Sequence, residues 1–390
     1  MLNKSVCIVV QSFYEIDARV RKKAETLVAE GYRVDVISLL PDNRKKGNYN
    51  IGKVNVHPIS IKKKRASTLR YLFEYFSFFL QASWKITKLM RKHHYGVIDV
   101  NSIPDFLVFT ARIPKWMGAK VVLDMHEFMP ELFISKFGLS ESHIVIRLLK
   151  WQERLSFNFA DHVLVIHEPM QKIFAKRGLN SQKTTIIISS ANEELLKGGD
   201  QSPPTKKPEF VFMYHGTWTK LYGLDIAVRA FALAQQKLPN AEFWLIGGGT
   251  EENLLKEIIT EKGLQDKVRL IGMMPQDEIG RWLNMGDVGI TLVRQDLYMD
   301  LAIPNKIPEC IVMGMPVISC ELNTVKHYFT EDAICYFKPG DENDLANKMI
   351  ELYNSKQKRD LLKKQALIEY EPIKWSIMRE RYLNLINRLI

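Results

Sequence analysis

Apolar and polar positions along this chain follow two rhythms. Short β-branched runs such as Val6 to Val10 and Val34 to Leu40 have the length of buried strands, while Asp17 to Glu30 carries its apolar residues at helical spacing. Strand, helix, a glycine stop at Gly31 and a second strand make a parallel-sheet unit. The same grammar recurs at Gly96 to Val100 and Ala119 to Leu123, then at Asp161 to Ile166 and Thr184 to Ile188. A doubly wound domain is therefore expected over residues 1–200. Lys197 to Pro208, rich in Gly, Pro and charge, reads as a linker. Strands are predicted again at Phe210 to Tyr214, Glu242 to Ile246, Val268 to Ile271, Val288 to Leu292, Pro316 to Ser319 and Ile334 to Phe337. Helical stretches such as Leu224 to Gln236 and Glu251 to Lys262 lie between them, so a second domain of the same kind is expected over 201–370. Residues 371–390 end the chain as an amphipathic helix with Trp375, Met378, Tyr382, Leu385, Ile386 and Leu389 on one side.

Length supports the division: 390 residues exceed what one hydrophobic core usually serves. A hydrophobic share of 46% with 25% charged residues is that of a globular protein. The first apolar run is too short for a secretory signal or a membrane span. Cys7, Cys310, Cys320 and Cys335 show no paired spacing, which fits a reducing cytoplasm and implies no metal site. The net charge of +11 is uneven, since residues 1–200 hold 31 Lys and Arg against 19 Asp and Glu, and residues 201–390 hold 24 against 25.

One basic region stands out. Ile61-Lys62-Lys63-Lys64-Arg65 precedes an aromatic-rich helical stretch, Leu69 to Met90, which ends in Arg91-Lys92. That composition suits an interfacial element on an anionic membrane surface across residues 61–92, and equally a core helix with a solvated loop before it. Interleaved aromatics on a β face, as single-strand nucleic-acid binders use, are not apparent, and no nucleic-acid partner is expected.

The richest chemistry lies in Ala302-Ile303-Pro304-Asn305-Lys306-Ile307-Pro308-Glu309, which leads through Gly314 into the apolar strand Pro316 to Ser319. Spacing of three places Lys306 and Glu309 on one helical face. The first turn of a helix also presents N–H groups and partial positive charge. Such a turn can grip a diphosphate and a ribose together. Upstream, Tyr214-His215-Gly216-Thr217 follows a strand, and Lys220 and Gly223 follow before a helix; its glycines let a ligand approach the backbone. Leu245-Ile246-Gly247-Gly248-Gly249 is a strand with a glycine turn, and Arg294 follows a strand at its carboxyl end, where open α/β sheets bind ligands. In the first half, Asp124-Met125-His126-Glu127, with Glu131 close by, crowds titratable groups at a strand end, and such groups are costly to bury without partners. Asp17 is a natural N-cap for the first helix.

These motifs resemble the retaining GT-B glycosyltransferases of family 4. The Pro-x-Lys-x-x-Glu turn with Gly-x-Pro-Val-Ile carries the likeness, supported by the glycine loops, the Asp-x-His-Glu segment and Ile16-Asp17-Ala18-Arg19-Val20. The resemblance implies an α/β GT-B architecture, two Rossmann-like domains facing across a cleft, with the last helix crossing back onto the first. It implies transfer of a hexose or N-acetylhexosamine from a UDP or GDP sugar to a lipid-linked or growing glycan, with retention and without a metal ion or cofactor. By the same likeness, His126, Lys306 and Glu309 are catalytic. Gly216, Thr217, Lys220, Gly247, Gly248, Met273, Met274, Arg294, Pro304 and Asn305 join Lys306 and Glu309 around the donor. Asp17, Arg19 and Glu127 fall on the acceptor side. The chain departs from the family pattern at Thr217 and Tyr222, where arginine and lysine are usual, and at Leu301, where a second glutamate is usual. Rival readings are an epimerase or hydrolase of nucleotide sugars on the same fold, and a noncatalytic basic protein bound to a membrane. A cytoplasmic protein, peripheral on the inner face of the plasma membrane, is the expected location.

Overall fold

A computed structural model describes residues 4–61 and 68–390, with the backbone alone for 68–72. The chain forms two compact units, one of Met1–Ser189 with Ser376–Ile390 and one of Ser190–Trp375.

The first unit is built on strands β1 (Ser5–Val9), β2 (Arg33–Leu39), β3 (Tyr49–Ile51), β4 (Val54–Ile59), β5 (Val97–Asn101), β6 (Lys120–Met125), β7 (His162–Val165) and β8 (Thr184–Ile186). Their order is β3-β4-β2-β1-β5-β6-β7-β8, and every pair is parallel except the β3–β4 hairpin. The chain steps outward from β1 to β4 and then returns to the other side of β1. The carboxyl ends of β1 and β5 therefore form the switch point where such sheets bind ligands.

The hairpin was not anticipated. Pro58 within β4 hides a strand signal, and Gly52 makes the turn at φ 56°. β7 begins at His162, one residue after Asp161, whose carboxylate accepts the Val121 amide at 2.8 Å.

Helix Ala18–Ala29 is capped by Asp17, which accepts from the Val20 amide at 3.2 Å. Helix Thr68–His93 buries Phe78, Ala82, Ile86 and Met90 at fourfold spacing. The helix Trp375–Leu389 packs Tyr382, Leu385 and Ile386 into the core that holds Val6, Ile8, Val34, Val97 and Leu164. This is why Ser376–Ile390 belongs to the first unit, a boundary five residues later than 370/371.

The second unit carries β9 (Phe210–Thr217), β10 (Ala241–Gly248), β11 (Val268–Gly272), β12 (Val288–Thr291), β13 (Val317–Cys320) and β14 (Ile334–Phe337) in the all-parallel order β11-β10-β9-β12-β13-β14. Its switch point lies between β9 and β12. The unit begins at Ser190 rather than at residue 201, since helix Glu193–Lys197 packs on helices Ile279–Leu283 and Lys306–Val312. Gly280 admits that contact: a Cβ there would stand 2.0 Å from the Leu196 carbonyl oxygen. The four cysteines are buried free thiols. Among the described residues no helix is long and apolar enough to cross a membrane.

Candidate functional site

In the second unit, β9 ends at Gly216-Thr217, still paired with β10, and helix Lys306–Val312 packs beside β12 and β13. Lys306 lies in the resulting notch. Its ammonium stands 4.3 Å from the centre of the Tyr222 ring and 5.1 Å from that of Tyr214. Gly216, at φ 123°, makes room for it: a Cβ there would meet Lys306 Cε at 2.6 Å. Desolvation lowers the Lys306 ammonium to about 8, against the opposing pull of Glu309. Among the described residues it has no carboxylate in ion-pair reach. An ammonium in aromatic surroundings, without a counter-ion, is set to take an anionic ligand.

Glu309, one turn on, is bound to His215 on β9, with Glu309 Oε2 2.5 Å from His215 Nε2. Glu309 Oε1 has no such partner among the described residues. Pro304 is buried and Asn305 exposed, at the entry to this helix. Thr217 and Lys220 are exposed beside the notch.

Arg294 is drawn elsewhere. Its Nη2 reaches both oxygens of Asp225, at 2.8 and 2.6 Å, and its Nε donates to the Lys220 carbonyl at 3.0 Å. In this structure it holds the turn at residues 220–225. Asp300, next to Leu301, accepts from the Asn323 amide at 3.0 Å and thereby starts the helix Asn323–Tyr328.

The glycine triplet separates by role. A Cβ on Gly247 would lie 1.9 Å from the Gly216 carbonyl oxygen, and one on Gly249 would lie 2.2 Å from that of Trp218. Those two glycines let β9 and β10 remain paired to their ends, where Gly247 aligns with Gly216 and Gly248 with Thr217. Gly248 faces the side chain of Met273, which is 85% exposed, and Met274 is half-buried.

A second arrangement occupies the switch point of the first unit. A cavity of about 240 Å³ is lined by Gln11, Asp17, Arg19, Glu74, His126 and Glu127 with their neighbours. His126 is buried, its backbone amide donates to Ser102 Oγ at 3.0 Å, and its Nε2 lies 3.0 Å from Asn101 Oδ1. That oxygen also accepts from Lys23 Nζ at 2.9 Å. An amide oxygen cannot donate, so the proton of the imidazole is on Nε2. Burial, with repulsion from Arg19, pushes the His126 pKa well below its ordinary value, so the ring is neutral near pH 7. Its Nδ1 is a buried acceptor without a partner among the described residues.

Beneath His126 lies a charged network. Lys23 Nζ lies 2.9 Å from Asp99 Oδ2 and also binds Asp124, and Tyr382 OH donates to Asp99 Oδ2 at 2.8 Å. Glu131 is turned away from this group: it pairs with Arg177, which also reaches the buried Glu153. A carboxyl at its depth needs a cation, and Arg177 is the one supplied. Burial, together with Glu131 and despite Arg177, holds the Glu153 carboxyl up at about 7.

The structure thus gathers Gly216, Lys306 and Glu309 in one notch and Asp17, Arg19, His126 and Glu127 around one cavity. Sequence reasoning noted Tyr214, His215, Tyr222 and Tyr382 without placing the first three around Lys306 and Glu309 or the last on Asp99, and it did not single out Asn101, Lys23 and Asp99 behind the histidine. The polar residues ending apolar strands, His215 and Asn101, were the signal that was present.

Comparison with known proteins bears on both units. Residues 16–188 match the family Glycosyl transferase 4-like domain, and residues 209–355 match Glycosyl transferases group 1. The chain is 31% identical over 137 residues to the amylovoran biosynthesis glycosyltransferase AmsK of Erwinia amylovora, covering 34% of this chain and 33% of that protein. It is 28% identical over 260 residues to the uncharacterized glycosyltransferase MJ1059 of Methanocaldococcus jannaschii, covering 63% and 60%. The matches thus span from a third to about three fifths of those relatives' lengths. Among solved structures, Anabaena Alr3699/HepE in complex with UDP-glucose superposes with a TM-score of 0.69 at 14% identity, covering 98% of this chain and 99% of that one. A match to a glycosyl transferase 4-like domain is thus followed by a match to a glycosyl transferases group 1 domain, on the two-domain α/β fold of the GT-B glycosyltransferase structures.

Proposed function

We propose that this protein moves a hexose or N-acetylhexosamine from a nucleoside-diphosphate sugar of the UDP or GDP type to a lipid-linked or growing glycan, with retention of configuration. The observation that carries this reading is the Lys306 ammonium, enclosed by Tyr214 and Tyr222 under the Gly216 turn, with no carboxylate to neutralise it among the described residues. A departing diphosphate supplies the missing charge. The free oxygen of Glu309 suits the ribose hydroxyls, with His215 fixing the other.

The bond that breaks joins the anomeric carbon to the diphosphate oxygen, which takes the electron pair. Lys306 stabilises the negative charge that develops there, and no metal ion is needed in this scheme. The acceptor oxygen attacks the short-lived oxocarbenium-like carbon on the face the diphosphate leaves, and its proton passes to the departing phosphate. His126, neutral and with an Nδ1 that has no partner among the described residues, is suited to accept a hydrogen bond from a sugar hydroxyl, and Asp17, Arg19 and Glu127 line the same cavity on the acceptor side. The UDP-glucose complex of HepE and the role named for AmsK in amylovoran biosynthesis support a nucleotide-sugar donor and a polysaccharide product. We place the protein in the cytoplasm, peripheral to the inner face of a membrane.

Thermal-shift measurement against a panel of nucleoside-diphosphate sugars tests the reading. One nucleotide class is expected to raise Tm, and Glu309→Ala to remove the rise. No shift with any member of the panel would overturn it. Release of free or epimerised sugar from donor alone would replace transfer by hydrolysis or epimerisation.

A further inference from the structure

Far from the switch point of the first unit, beside the amino ends of β2 and β4, the carboxyl half of helix Thr68–His93 lines a groove of about 480 Å³. Its walls include Arg33, Lys85, Lys88, Lys92, His57 and His93, together with three asparagines, and no carboxylate is among the lining residues. Beneath it, Asp35 is engaged by Arg33 at 2.8 Å and by His57 at 2.7 Å, and Lys85 donates to the Pro58 carbonyl at 2.7 Å. Lys88 and Lys92 make no ion pair among the described residues, and the Lys88 ammonium lies 5.3 Å from the centre of the Trp84 ring. The groove is a basic, amide-rimmed site open to solvent.

The same helix carries an apolar row leading to it. Phe73, Phe76, Leu80 and Trp84 are 60%, 59%, 52% and 66% exposed. At the helical repeat they fall within an arc of about 80°, and Lys88 and Lys92 continue the row at fourfold spacing. This face is opposite the buried one formed by Phe78, Ala82, Ile86 and Met90. A helix apolar on both sides, with cations at one end of the outer row, has the form of an element lying in the surface of a bilayer. The preceding basic stretch, Lys62 to Arg65, lies outside the described residues.

We propose that the groove formed by Arg33, Lys85, Lys88 and Lys92 binds the phosphate of an anionic phospholipid headgroup while Phe73, Phe76, Leu80 and Trp84 enter the adjoining acyl layer. Charge complementarity selects a phosphodiester, and the apolar row beside it selects a lipid over a free anion. The inference rests on the peripheral-membrane part of the proposed function and not on the transfer reaction. It also gives the helix a second task, because Glu74 and Tyr75 near its other end line the His126 cavity. Docking by this helix sets that cavity at the lipid surface, where a lipid-linked acceptor is presented.

Co-sedimentation with vesicles tests it. The full chain is expected to pellet with vesicles of phosphatidylcholine mixed with phosphatidylglycerol, and not with phosphatidylcholine alone. The double variant K88E/K92E is expected to weaken partitioning at least tenfold, from two charge reversals near an anionic surface. The variant F76S/W84S is expected to weaken it with the charges intact. Both variants change exposed residues, so an unchanged melting curve and an unchanged nucleotide-sugar shift report an intact fold. Failure of the wild-type chain to pellet, or pelleting that survives K88E/K92E, would overturn the proposal. Protection by inorganic phosphate that depends on Lys88 and Lys92, without vesicle binding, would overturn it in favour of a soluble phosphate ligand. Loss of the nucleotide-sugar shift with vesicle binding retained would sink the transfer reading and leave this one standing.

Discussion

Each unit encloses a lysine, and the two are treated in opposite ways. Lys23, in the first unit, is held by Asp99 and Asp124 and by Asn101, and although burial works against its charge these partners raise its pKa. Lys306, in the second unit, meets aromatic rings, and desolvation lowers its pKa to about 8. The sheets around them follow the same winding, outward from the first strand and back to its other side. Topology therefore supplies a place for a site in each unit, and local counter-charge decides what the place is for. A cation already neutralised organises neighbours such as His126. One left without a carboxylate is available to a ligand.

Exchanging each lysine for methionine is the sharpest way to break this contrast. Lys23→Met leaves two carboxylates buried without a cation, and a loss of about 3–5 kcal/mol in stability is expected, read by chemical denaturation. Lys306→Met is expected to leave stability unchanged or slightly higher while transfer falls by roughly 10²–10³-fold, read as kcat/KM with the donor found by thermal shift. Equal losses of stability in the two variants would erase the distinction. Tyr382→Phe removes a hydrogen bond to buried Asp99, with an expected cost of about 1–3 kcal/mol, seen as a lower Tm and greater amide exchange in the last helix.

The pH dependence of donor binding should show the smallest effect. A lysine with a lowered pKa is charged below about 8 and neutral above it, and a bound diphosphate favours the charged form. Affinity for a nucleotide sugar is therefore expected to stay level up to pH 8 and then to fall, by at most about tenfold per pH unit. Calorimetric titration across that range measures it, and in Lys306→Met the slope should vanish.

Much of the fold was legible because buried parallel strands must be apolar on both faces. All six strands of the second unit lie where β-branched and aromatic runs predicted them, each within a residue or two except for the three-residue carboxyl-terminal extension of β9 to Thr217. The β3–β4 hairpin was missed because Pro58 argues against a strand interior, although its neighbours pair on both sides. Of the site, the Lys306 and Glu309 pair was visible, because a spacing of three is local. Arg294 looked equally available, yet Asp225, on another element, takes its guanidinium. The glycine triplet suggested a ligand loop, whereas Gly247 and Gly249 answer first to the backbone of residues 216–218.

By itself the chain determined its two sheets, its capped first helix, its amphipathic last helix and the side-chain types at each strand end, since all of these follow from periodicity and near-neighbour chemistry. Tertiary structure alone decided which charges were cancelled. Asp99, Asp124 and Tyr382 reach Lys23 from as far as the other end of the chain, while Tyr214 and Tyr222 surround Lys306 from some ninety residues away. Burial sharpens every such pairing because the low-dielectric interior strengthens both the attraction of a partner and the cost of lacking one. No local pattern encodes which partner will arrive.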